Sequence, residues 1–148
     1  MGLFYRSQDI FPLFGTKNAA KTITPVALTA AYTGNRKAFE TGGYVKMNLD
    51  VRYTTGAAET DNSLNLLLEG SSDGVNWYQL VNESNSNGAS TVYQREFTFG
   101  GTGTTAATAY ALSYGIDVFY KYVRVSVKET GVAANAGSIF IEATLSGA

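Results

Sequence analysis

The chain has 148 residues, the size of one ordinary domain and enough to bury a core without covalent staples. It contains no Cys and no His, which excludes disulfides, thiolate nucleophiles, Cys-ligated zinc, HExxH zinc sites, and Ser-His-Asp or imidazole chemistry. Eleven basic and 12 acidic residues give a net charge of −1, and no basic block offers the footprint of a nucleic-acid binder.

The first 21 residues read as an N-terminal arm. Leu3, Phe4, Tyr5, Ile10, Phe11, Leu13 and Phe14 are apolar but do not alternate strictly. Arg6, Ser7, Gln8 and Asp9 interrupt them, so the stretch lacks the form of a secretory signal. Side-chain burial alone does not offset the entropy of ordering such a segment; it needs backbone hydrogen bonds, such as joining a sheet edge. That edge could belong to the chain's own domain or to a neighbour. The favoured reading is docking on a partner, because an aromatic-rich extension left bare would threaten solubility.

Residues 22–148 read as one β-domain. The segment 22–32 is a weak strand, and Pro25 would put it at an edge or a bulge. From 44 to 53 the alternation is clean: Val45, Met47, Leu49, Val51 and Tyr53 are apolar, and Lys46, Asn48, Asp50 and Arg52 are polar. In 63–69, Leu64, Leu66 and Leu68 share one face. Weaker strands follow at 75–82, 91–99 and 108–114. In 118–128, Phe119, Val123, Val125 and Val127 are expected inward, with Tyr120, Tyr122 and Arg124 outward. The last strand, 138–146, puts Ile139, Ile141, Ala143 and Leu145 on one face. Gly-, Asn- and Asp-rich turns separate these segments. No stretch has a sustained helical period, and no run approaches the 18 apolar residues of a membrane helix. Eight strands in this length predict an all-β, single antiparallel sandwich of jelly-roll type, preceded by the extended arm.

Three groups of residues stand out as sites. The arm residues named above form a docking element. Tyr120, Tyr122 and Arg124 place interface-prone side chains on one face, or else lie under a covering loop. Ser71-Ser72-Asp73-Gly74-Val75-Asn76-Trp77 reads first as a tight turn, with Asp-Gly supplying the left-handed position and Trp77 covering the end of a core. Its alternative reading is a glycan platform, with Trp77 stacking on a sugar and Asp73 or Asn76 bonding hydroxyls; the spacing resembles a motif of discoidin-like and carbohydrate-binding sandwiches. The carboxylates are scattered, and nothing in the sequence sets two of them across a cleft, so no catalytic site is expected. Glu59, Asp61 and Asn62 carry loop oxygens suited to calcium but lack EF-hand spacing. No cofactor, no metal and no catalytic residue is assigned.

Three stretches together resemble a family: 64–78 (LNLLLEGSSDGVNWY), 120–130 (YKYVRVSVKET) and 137–147 (GSIFIEATLSG). In order and spacing they look like small virion proteins of tailed bacteriophages with β-sandwich or β-tulip domains. The short preceding arm is similar to those of capsid decoration (cement) proteins. The resemblance implies a non-enzymatic protein, often a homotrimer, that binds the major capsid protein and copies of itself on the outer shell. It implies a virion protein made in the host cytoplasm; the charge balance and the short apolar runs add that neither nucleic acid nor membrane is expected as a partner. The other readings are a glycan-binding module of a tail, fibre or surface protein, and a neck, tail or baseplate accessory protein.

Overall fold

The structure, a computed structural model, describes residues 8–59, 62–79, 81–82, 91–92, 94–98, 107–132 and 134–147. The strands are β1 (Gln8–Phe14), β2 (Thr16–Lys17), β3 (Ile23–Thr24), β4 (Val26–Ala27), β5 (Arg36–Glu40), β6 (Lys46–Thr54) and β7 (Ser63–Ser71). They continue with β8 (Tyr78–Gln79), β9 (Val81–Asn82), β10 (Thr91–Val92), β11 (Gln94–Thr98), β12 (Ala109–Asp117), β13 (Tyr122–Thr130) and β14 (Ser138–Ser146). One 3-10 turn, Tyr32–Gly34, is the only helical element among the described residues. No helix there is long and apolar enough to cross a membrane.

Two antiparallel sheets pack face to face. The first runs β1-β14-β6-β12 and the second β11-β7-β13-β5. Numbering only the eight strands of five or more residues among those described, the orders are 1-8-3-6 and 2-7-4-5, the interleaving of a jelly roll. The core is the clean alternation made physical. Met47, Leu49, Val51 and Tyr53 face Leu64, Leu66 and Leu68 of β7 and Val123, Val125 and Val127 of β13, with Ile139, Ile141, Ala143 and Leu145 of β14 beside them. All nine β6 residues stay in register with β14, from Lys46–Ser146 to Thr54–Ser138.

The N-terminal reading needs correction. Residues 8–14 are not a free arm: β1 is the edge strand of the first sheet, paired with β14 from Gln8–Ser146 to Phe14–Ile141 with a bulge between Pro12 and Phe14. Leu13 and Phe14 are buried in this chain's own core, and Phe11 packs edge-on against Phe39 of β5 at 5.3 Å. The backbone hydrogen bonds that such a segment needs are made within the domain. The boundary at 21/22 falls inside the β2–β3 hairpin, a small two-stranded sheet of its own, while residues 8–14 belong to the sandwich. Leu3, Phe4 and Tyr5 lie outside the described residues.

Other elements differ locally. The strand expected over 22–32 is divided at Pro25 into β3 and β4, because proline has no amide to continue the ladder. β5 was not legible in the sequence: Arg-Lys-Ala-Phe-Glu carries one half-buried residue, Phe39, on an otherwise exposed edge. The strand expected from 118 begins at Tyr122. Phe140, on the outer face of β14, is buried too, among Ile23, Pro25 and Tyr110.

Candidate functional site

One end of the sandwich gathers most of the singled-out residues. The register puts Gln8, Lys46, Asp117 and Ser146 at that end of the first sheet. Glu40, Ser71 and Tyr122 stand at the same end of the second. Two loops close it. The loop at 118–121 meets the one at 41–45 through Thr41 N–H to Lys121 O (2.7 Å) and Val118 N–H to Val45 O (2.8 Å). The buried Thr41 hydroxyl donates to Tyr120 O at 2.6 Å.

Because 118–121 is loop, strand alternation does not apply to it. Phe119, expected inward, is 85% exposed, while Val118 is buried in its place. Tyr120, expected outward, instead lies over Gly70 of β7, where any Cβ would run into its ring. Gly70 is a position where the missing side chain permits a close approach. Tyr122 is the first outward residue of β13 and is half-buried, with Lys121 Nζ 5.3 Å from its ring centroid.

The turn 71–77 folds beside them. Asp73 Oδ1 accepts the amides of Val75 and Asn76, each at 2.8 Å, and Oδ2 accepts Asn76 Nδ2 at 2.7 Å. Ser71 Oγ donates to Asp73 Oδ1 (3.0 Å) and accepts the Gly74 amide (2.9 Å). Gly74 takes φ 77°, the left-handed conformation expected of the Asp-Gly pair. The Asn76 amide and side chain, with the Val75 amide and Ser71 hydroxyl, hold the Asp73 carboxyl well below the usual carboxylate range.

Arg124 joins the turn to the sheet. Its Nε and Nη2 donate to Glu69 Oε1 (2.9 Å) and Oε2 (2.8 Å) across the β13–β7 ladder. The same guanidinium lies 4.5 Å from the Trp77 ring centroid. The two clusters that appear separate in the sequence, 73–77 and 120–124, are therefore one packed layer on the outer face of the second sheet. One Trp77 face is covered by Arg124, and the Asp73 carboxylate and the Asn76 Nδ2 are engaged in the turn. The arrangement suits a structural layer better than a sugar platform. Glu69 completes it and was not singled out in the sequence; its signal is its place directly opposite Arg124.

Exposed apolar side chains stand toward this end on both sheets, Val75 and Tyr78 beside the layer and Ile10 and Val45 on the first sheet. Val75 is 77% exposed, Tyr78 61%, Ile10 55% and Val45 40%. At the opposite end the buried Glu129 carboxylate accepts from Tyr53 Oη, from Asn62 Nδ2 (3.2 Å) and from the Gly137 amide (2.7 Å). Burial, then the hydrogen bond to Glu129, pushes the Tyr53 phenol well above its ordinary range. Glu59 Oε1 accepts the Ala134 and Asn135 amides, both at 2.6 Å. Asp61 lies outside the described residues. Among those described, no three Asp or Glu residues form a cation-binding group.

No protein-family model and no curated protein matches the chain. Among solved structures, it is similar to part of dimeric latent PorU from Porphyromonas gingivalis, with a TM-score of 0.50 and 9% identity. The match covers 96% of this chain and 13% of that one. At that identity the likeness shows the fold alone.

Proposed function

We propose that this chain is a non-enzymatic structural protein of a virion surface, a capsid decoration protein that docks through the loop end of its sandwich. The observation that carries the reading is the crowding of exposed apolar side chains there, with Phe119 at 85% exposure. Isolated exposed hydrophobes are ordinary, but several grouped at one end mark an interaction surface. The segment carrying Leu3, Phe4 and Tyr5 leads into Gln8, which stands at this same end. The docking role of the N-terminus is thus narrowed to the residues before β1, together with Ile10. The partners are the major capsid protein and further copies of this chain, with a trimer on the outer shell. Binding the assembled shell better than free subunits would stabilise it by mass action.

The test is to add the purified protein to shells of its own particle that lack it, and to follow binding and thermal disruption. Wild type should bind and raise the disruption temperature. Phe119→Asp should bind more weakly while keeping its fold. Failure of wild type to bind any assembly stage of the shell would overturn the reading.

A further inference from the structure

The outer face of the first sheet carries a second surface of different chemistry. Two adjoining shallow depressions run along β6 and its neighbours, about 660 Å³ and 410 Å³. β6 is about 30 Å long at the rise of an extended strand. Small residues of β12, Ala111, Ser113 and Gly115, keep the floor low. The β2–β3 hairpin walls one end, where Lys17 reaches Glu142 at 3.1 Å. Beyond it lie Ile23 and Pro25, an apolar rim against Arg52 and Phe140.

At the centre is a small built network. Asn48 Nδ2 donates to Asp50 Oδ1 at 2.9 Å, and Ser113 Oγ lies 2.9 Å from that oxygen and 3.0 Å from Asn48 Oδ1. Three side chains on two strands thereby fix one another. Asp50 Oδ2 and the Arg52 guanidinium have no partner among the described residues, so a rigid acceptor and a forked donor stand next to each other on the exposed face. The charges lining the two depressions balance: Lys17, Lys46 and Arg52 against Asp50, Asp117 and Glu142. No net field selects an anion or a cation there. The floor also lacks the exposed aromatic and Met side chains that mark protein interfaces.

We propose that this groove binds a neutral oligosaccharide laid along the strands. Its hydroxyls would pair with Asp50, Arg52 and Asn48, and a C–H face would rest on Ile23 and Pro25. One end of the groove, at Gln8, Lys46, Asp117 and Ser146, adjoins the loop end, but the sugar contacts centre on Asp50, Arg52, Ile23 and Pro25 toward the β2–β3 hairpin, so a change at Asp50 can remove sugar binding without touching the shell-docking residues.

The test is affinity electrophoresis of the intact protein in gels containing soluble xylan, galactomannan, dextran or laminarin, backed by a printed glycan array. Retardation by at least one neutral polysaccharide is expected. Asp50→Ala should weaken it about tenfold or more, the scale of losing a charge-assisted hydrogen bond. Gly115→Trp, which fills the floor without touching the core, should abolish it; both variants should melt as wild type, and Asp50→Ala should still bind shells. Trp77→Phe should leave retardation intact. No binding to any neutral polysaccharide or arrayed glycan overturns the proposal. So does binding lost in Trp77→Phe but kept in Asp50→Ala and Gly115→Trp.

Discussion

The Arg124 guanidinium stacks 4.5 Å from the centre of the Trp77 ring while both its forked nitrogens hold Glu69. Removing it strips the indole of its cover and leaves the buried Glu69 carboxylate without its cation. Arg124→Ala should cost about 1–3 kcal/mol of stability. Trp77 is the only tryptophan, so its emission reports the same event and should shift to the red. Arg124→Lys should recover little, because an ammonium cannot bind bidentately and stack at once. Denaturant unfolding followed by fluorescence checks all three. A wild-type spectrum and stability in Arg124→Ala would show that the layer is incidental.

Tyr120 closes the loop end by lying over the bare Cα of Gly70. Gly70→Ala must push the ring aside and should destabilise by about 1–3 kcal/mol, the usual cost of overpacking. Gly115→Ala serves as the control: it is an exposed strand glycine whose Cβ would make only ordinary contacts, so it should be near neutral. Thermal melts of the pair distinguish close packing from a general intolerance of substitution in strands.

The Tyr53 hydroxyl is buried against Glu129, and its phenol resists ionisation. Below about pH 10 the phenol keeps its proton folded or unfolded. Above that, the unfolded chain releases a proton that the folded chain retains, so stability falls as pH rises, by about 1.4 kcal/mol per pH unit. Tyr53→Phe should be less stable than wild type near neutrality, because Glu129 loses a donor. It should also lose stability less steeply between about pH 10 and 11.5. Urea unfolding across that range measures both slopes; parallel curves would contradict the account.

The N-terminal segment divides at β1. Deleting residues 2–7 should leave the melting temperature close to that of wild type. Extending the deletion through Phe14 removes an edge strand and two buried side chains, and should cost about 3–6 kcal/mol in apolar burial alone. Equal stability of the two truncations would show that β1 contributes nothing to the sandwich.

Much of this architecture is legible in the residues. The period-2 runs of β6 and β14 expose their core faces directly, because each has one buried side and a full nine-residue span. β5 and β1 escape this reading for opposite reasons. β5 is a charged edge with a single half-buried residue, whereas β1 has its alternation broken by Pro12 and a bulge. Phe119 and Tyr120 depart from their expected sides because the strand starts at Tyr122, four residues later than alternation suggests. The Glu69–Arg124–Trp77 layer depends on a register between distant strands, which one sequence does not specify. The candidate end was present in the sequence only as three unrelated patches.

The most direct measurement of the docking account is shell occupancy by electron microscopy for wild type, Phe119→Asp and the 2–7 deletion. All three should first be shown to be equally folded. The account predicts density at regular sites on the outer shell for wild type, and strongly reduced density for both variants. Full occupancy by both variants, or no wild-type density on any shell, would contradict it.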